Sequence, residues 1–163
     1  MAIKKTQRGF ALLVAVIFMS VMLSIGLALG SLGYKQQVLA SSAIESQYAF
    51  YAADAALECA LYYDQQQNLF AYEGYDGNPK SMTCGGNAVT VNQAPPSPSQ
   101  LISTARISLD SGKRCADVTV YKPPSGTGTT YLFSQGYDVS CATVVDSATN
   151  GARFVSRGLS SYY

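Results

Sequence analysis

Lys4-Lys5-Thr6-Gln7-Arg8-Gly9-Phe10-Ala11-Leu12-Leu13 begins as a short basic segment and switches at Gly9 to an apolar run, and from Phe10 to Gly33 no residue is acidic or basic. Those 24 residues predict a helix of about 36 Å at about 1.5 Å per residue, enough to cross a hydrocarbon core of about 30 Å. Positive charge ahead of an apolar segment keeps that end on the cytoplasmic side and sends the rest outward. Lys4, Lys5 and Arg8 all lie before the run, so losing them would leave a slightly acidic body from a chain that starts with 11 basic and 10 acidic side chains. No basic patch suggests a nucleic-acid site.

The helical pattern continues past the run. Between Lys35 and Asp64 there is neither proline nor glycine, and apolar residues recur at Ile44, Tyr48, Tyr51 and Ala55, and again at Phe50, Leu57 and Leu61. The polar stretch from Asp64 to Asn68 is the expected end, and Gly74, Gly77, Asn78 and Pro79 mark a loop. A secretory signal cleaved after Ala28-Leu29-Gly30 is the competing reading, but the run is longer than a usual signal core and the helix does not stop there. Small residues stand at helical spacing: Ser20 with Ser24, Gly26 with Gly30, and Ala49, Ala52, Ala53, Ala55, Ala56 and Ala60. Such spacing suits close packing of helix backbones. It equally suits a single flexible anchor, and the pattern alone leaves the two open.

Beyond Gly85 the period changes. Strands are expected at 88–91, 106–109, 115–122, 129–140 and 153–159, with a proline-rich connector over 93–100 and a loop over 141–151. Val118 and Val120 alternate with Asp117, Thr119 and Tyr121 as in a half-buried strand. The expected fold is α+β: a long N-terminal helix, membrane half plus amphipathic half, packed on a C-terminal antiparallel sheet. The organisation reads as a leader over 1–9, a membrane or filament-core half-helix over 10–33, an amphipathic half-helix over 34–64 and a sheet domain over 65–163. Tyr48, Tyr51, Tyr62 and Tyr63 are expected between helix and sheet, with Tyr162 and Tyr163 at the surface.

Cys59, Cys84, Cys115 and Cys141 form an even, widely spaced set without a Cys-x-x-Cys pair. In an exported chain two disulfides are expected. Of three connectivities, Cys59 with Cys84 and Cys115 with Cys141 is preferred because each loop encloses a compact segment. The chain has no histidine, so no Ser-His-Asp or Cys-His device can be assembled. Residues 125–130 and 110–113 lack the pattern of a phosphate loop. Asp76 with Asn78, and Asp138 with Asp146, offer oxygen atoms but no ordered calcium spacing. Asp54 and Glu58, one helical turn apart, read as a solvent- or partner-facing pair rather than a catalytic one. No catalytic residue, metal or cofactor is expected.

The stretch from Lys4 to Leu13 resembles the prepilin peptidase site of type IV pilins and pseudopilins, a basic leader, then glycine, then phenylalanine. Gln47-Tyr-Ala-Phe-Tyr-Ala-Ala-Asp-Ala-Ala-Leu57 is similar to the Ala-Phe-x-Ala-Ala-Glu-Ala-Ala-Leu run of PilX-type minor pilins. The resemblance covers about the first 60 residues; the remainder is similar only in the kind of architecture. It implies cleavage after Gly9, N-methylation of Phe10, and a subunit held in the inner membrane as precursor and in an extracellular filament afterwards. The implied partners are other pilin subunits through the N-terminal helix, the prepilin peptidase and the inner-membrane assembly platform. Most members carry glutamate at the fifth mature position; here it is Val14. That departure, shared by tip subunits of secretion pseudopili and PilX-type minor pilins, points to a minor or tip-proximal subunit. Attachment and DNA uptake are family-level tasks. A type II secretion pseudopilin and a membrane-anchored extracytoplasmic binding module are the alternatives.

Overall fold

The computed structural model describes residues 7–151 and 153–163. It falls into two compact units, Met1–Ser42 and Ala43–Tyr163. The described part of the first unit is a single helical segment, the beginning of α1 (Gln7–Gln67). From residue 9 to residue 45 every side chain of α1 is exposed.

The second unit is α+β. The remainder of α1 packs on one face of a six-stranded antiparallel sheet whose spatial order follows the chain: β1 (Lys80–Cys84), β2 (Asn87–Gln93), β3 (Leu101–Leu109), β4 (Arg114–Lys122), β5 (Tyr131–Tyr137) and β6 (Ser156–Tyr162). A ten-residue helix, α2 (Cys141–Asn150), joins β5 to β6. α1 ends where Asn68 takes a left-handed conformation, φ 50°, and the Leu69 N–H turns back to the Tyr63 carbonyl at 3.1 Å. Asparagine tolerates that geometry better than most residues.

Alternation sets the two faces of the sheet. Met82, Val89, Val91, Ala105, Ile107, Ala116, Val118, Val120 and Leu132 are buried towards α1, together with Ala56, Leu57, Ala60 and Phe70. Asp117, Thr119 and Tyr121 point the other way, as the alternation predicts. The cysteines pair sequentially, Cys59 with Cys84 and Cys115 with Cys141, at Cα separations of 6.0 and 4.7 Å. The first bond ties α1 to β1 and the second ties β4 to the start of α2.

Three expectations are corrected. A strand precedes Gly85: β1 forms a hairpin with β2 through Gly85-Gly86, both at positive φ, with Cys84 opposite Asn87. Two consecutive left-handed residues match the right-handed twist of the flanking strands, and glycine adopts them without steric cost. The loop expected over 141–151 is largely α2. Ser140 caps it, its hydroxyl accepting from the Thr143 N–H at 3.3 Å, and Gly151 at φ 67° follows its last residue. Finally, the tyrosines do not share one environment. Tyr63 alone of its group lies half-buried, its hydroxyl accepting from the Thr83 N–H at 2.9 Å, whereas Tyr48, Tyr51 and Tyr62 are exposed. Tyr48 lies beneath the Arg114 guanidinium, 3.7 Å from the ring centre.

The strand boundaries also shift. β3 starts at Leu101 rather than Arg106, because its pairing with β4 runs from Leu101 opposite Lys122 to Leu109 opposite Arg114. β5 is shorter than expected and β6 later. Asp138 closes the excursion between them, its backbone N–H donating to the Val155 carbonyl at 3.2 Å and its carboxylate accepting from the Val155 N–H at 2.8 Å.

Candidate functional site

Gly9 and Phe10, the proposed processing position, lie in the first turns of α1, and Phe10 is exposed. Lys4 to Thr6, and the side chains of Gln7 and Arg8, lie outside the described residues. α1 is long and apolar enough to cross a membrane, and none of its most apolar window is buried. Val14 is exposed along with Leu12, Leu13, Val16, Ile17 and Phe18.

The small residues of this segment make few demands on the chain itself. The Ser20 hydroxyl donates to the Ile17 carbonyl at 2.8 Å, and the Ser24 hydroxyl donates to the Ser20 carbonyl at 2.8 Å. Serines satisfied in this way can enter an apolar medium without carrying an unpaired donor. A Cβ added at Gly26, Gly30 or Gly33 would meet nothing within 4 Å. With about 100° per residue, Ser20 and Ser24 share one side of the helix and Gly26 and Gly30 share another, roughly 120° away. Helix geometry therefore separates the four residues into two stripes, and all four residues are exposed.

The alanines behave differently. Ala49, Ala52, Ala53, Ala56 and Ala60 are buried, whereas Ala55 is exposed. They are buried against the chain's own sheet, and the point of closest approach is Gly136 in β5. A Cβ there would collide with the Ala49 carbonyl oxygen and the Ala53 amide nitrogen, and would stand 3.0 Å from the Ala52 carbonyl carbon. Gly136 is required by proximity rather than by its own backbone angles. Sequence periodicity could not find it, because the approach joins residues more than 80 positions apart.

A second cluster also escaped the sequence reading. Asp64 is buried in the last turn of α1, where the partial negative charge of the helix terminus disfavours a carboxylate. Lys122, at the end of β4, approaches it to 2.6 Å, and the Tyr163 hydroxyl donates to the same oxygen. Burial, followed by this contact with Asp64, pushes the Tyr163 phenol well above its ordinary range. The backbone of Tyr163 is paired with Thr130 in both directions, at 2.8 and 3.1 Å. Tyr163 is thus held through its backbone to Thr130 and through its side chain to the end of the first helix.

Of the acidic residues weighed for chemistry, Glu58 is exposed and Asp54 half-buried. Asp76 accepts from the Asn78 N–H at 3.0 Å and from Lys80 at 2.7 Å, and the Lys80 contact lowers its carboxyl to about 2. This is turn chemistry. Asp138 is engaged with Val155, and the side chain of Asp146 lies outside the described residues. Among the described residues no three His, Cys, Asp or Glu are grouped to hold a metal.

No protein-family model, curated protein or solved structure matches the chain.

Proposed function

We propose that this chain is a minor or tip-proximal structural subunit of a type IV pilus, cut after Gly9 and inserted into the filament through the apolar half of α1. The observation that carries the reading is the sequence around Gly9 and Phe10, a basic leader meeting an apolar run. α1 supports it by continuing unbroken from Gln7 to Gln67 and by being exposed along its apolar length.

Val14 refines the role. In a repeating filament, a glutamate at this place would meet the ammonium group at a neighbouring subunit's new N-terminus. A buried carboxylate and ammonium are each costly alone and tolerable as a pair. A subunit without the carboxylate suits a position with one neighbour fewer. The same residues serve a type II secretion pseudopilin, and the exposed apolar helix joined to a disulfide-bonded sheet unit also supports a membrane-anchored binding module.

Mass spectrometry of the mature N-terminus in the native cell separates a pilin-type subunit, of a pilus or of a secretion pseudopilus, from the anchored module. N-methylated Phe10, lost when the prepilin peptidase is deleted, is the expected result. A terminus at Ser31 would identify a secreted protein, and an intact Met1 or Ala2 an ordinary anchored domain; either overturns the proposal. Val14→Glu is expected to leave export intact and to change filament number or subunit incorporation.

A further inference from the structure

The face of the sheet turned away from α1 carries aromatic residues in a row. Ile102, Tyr121, Tyr131 and Tyr162 stand opposite one another across β3, β4, β5 and β6. The Tyr121 and Tyr131 rings have centroids 5.7 Å apart and planes inclined by 39°. Tyr131 is 39% exposed and Tyr162 75% exposed. At about 4.8 Å between strands, the three tyrosines cover roughly 10 Å of surface.

At this row lies an open cavity of about 480 Å³, whose lining includes Tyr121 and Tyr131 together with Ser99, Gln100, Thr127 and Thr129. Its volume falls in the range of small-ligand sites, about 300–1,000 Å³. No charged residue lines it. Lys122, adjacent to Tyr121 in the chain, turns to the opposite face, where Asp64 holds it.

Both polar rims are fixed from within. On one, the Ser97 hydroxyl receives the Gln100 N–H at 3.1 Å, and Ser97 and Gln100 also pair through their backbones. The Tyr72 hydroxyl anchors the Ser97 carbonyl at 2.7 Å. On the other, Thr127 is tied to the Pro124 carbonyl through both its N–H, at 3.1 Å, and its hydroxyl, at 2.6 Å. Rims held in this way lose little freedom when a ligand binds.

We propose that this cavity and the tyrosine row beside it form a binding site for a neutral glycan chain. A pyranose ring has an apolar face of C–H groups and a periphery of hydroxyls. The C–H face packs on a tyrosine ring, and the hydroxyls meet an amide and several side-chain hydroxyls, each able to donate and to accept. The row continues the aromatic surface from the cavity onto β6, so successive sugar units meet successive rings. A lining without charge gives an acidic sugar or a phosphate no counter-charge. The site lies wholly within the second unit and does not depend on whether Phe10 is processed.

The test uses the full chain in phosphatidylcholine nanodiscs, titrated calorimetrically with cellohexaose, chitohexaose and maltohexaose, and with a galacturonate hexamer as the acidic control. Saturable binding of at least one neutral hexamer is expected, with a Kd at or below about 1 mM, and none of the acidic one. Tyr131→Ala is expected to weaken that binding about tenfold, while Tyr131→Phe stays within about threefold because the ring remains. Gln100→Leu, which removes the amide and leaves the strands untouched, is expected to weaken it about fivefold and provides a second reading if Tyr131→Ala does not fold. The proposal is overturned if none of the three neutral hexamers saturates, if the galacturonate hexamer binds as well, or if folded Tyr131→Ala or Gln100→Leu binds like the parent chain.

Discussion

Replacing Gly136 by alanine is a direct perturbation of the contact that seats α1 on the sheet. The added methyl group would meet backbone atoms of Ala49, Ala52 and Ala53, which have no rotamer through which to escape. Restoring ordinary contact, about 3.5 Å between heavy atoms, requires the helix to lift, or β5 to sink, by more than about 1 Å. A gap of about 1 Å already forfeits about half of the dispersion energy of each contact it opens. The contacts at risk belong to Ala49, Ala52, Ala53 and Ala56, all buried. Overpacking typically costs about 1–3 kcal/mol, and a clash against backbone belongs at the upper end, so about 3 kcal/mol is expected. Against a total stability of about 5–15 kcal/mol for an ordinary domain, that loss corresponds to a fall in Tm of about 10 °C. Thermal unfolding of the full chain followed by near-ultraviolet circular dichroism measures it. Gly158→Ala is the control: a Cβ there would be crowded by the edge of the Phe133 ring, at 3.1 Å, which as a side chain can give way, and would stand in ordinary contact with the Ser134 carbonyl oxygen at 3.9 Å. If Gly136→Ala melts within about 3 °C of the parent chain, or Gly158→Ala is the more damaging of the two, the close approach does not limit the packing.

Two further changes address the end of α1. Lys122→Met leaves the buried Asp64 carboxylate without its cation and is expected to cost about 3–5 kcal/mol, while Lys122→Met combined with Asp64→Asn recovers most of the loss; denaturant titration of the three chains decides it. Tyr163→Phe bears on alkaline stability. The folded chain holds this phenol above its unfolded value of about 10, so its contribution is complete below pH 10 and is lost as pH rises through the folded pKa. The Tm difference between parent and Tyr163→Phe should therefore be constant below about pH 9.5 and shrink above it; a difference that grows with pH refutes the assignment.

What the sequence disclosed depended on the range of the interaction. α1 was legible because an uncharged run followed by a proline- and glycine-free stretch is a local signal. β4 was legible because its valines alternate. β1 was hidden by the glycines on both sides of it, which read as one long loop, although Gly85-Gly86 is itself a hairpin signal. α2 was hidden because Thr143, Val144, Val145, Ser147, Thr149 and Asn150 are all weak helix formers, although Ser140 and Gly151 mark its ends. The proposed processing position rests on a contiguous motif. Gly136, the Asp64 cluster and the tyrosine row could not be read, since each arises only when strand register and helix docking bring distant positions together.

The burial of the alanines changes how α1 has to be read. Alanines at helical spacing suit both helix-on-helix and helix-on-sheet packing, because each needs a short distance between backbones. Here the face bearing Ala49, Ala52, Ala53, Ala56 and Ala60 is occupied by the sheet, with Gly136 beneath it. That face is therefore not free to meet another copy. Tyr51, Ala55, Glu58 and Tyr62, spaced by four, three and four, form the opposite stripe, and all are exposed. Any helix packing between copies must use this aromatic stripe or residues earlier in α1, where Gly26 and Gly30 have open space around them. The alanine-rich stretch over 47–57 thus serves to seat the sheet on the helix.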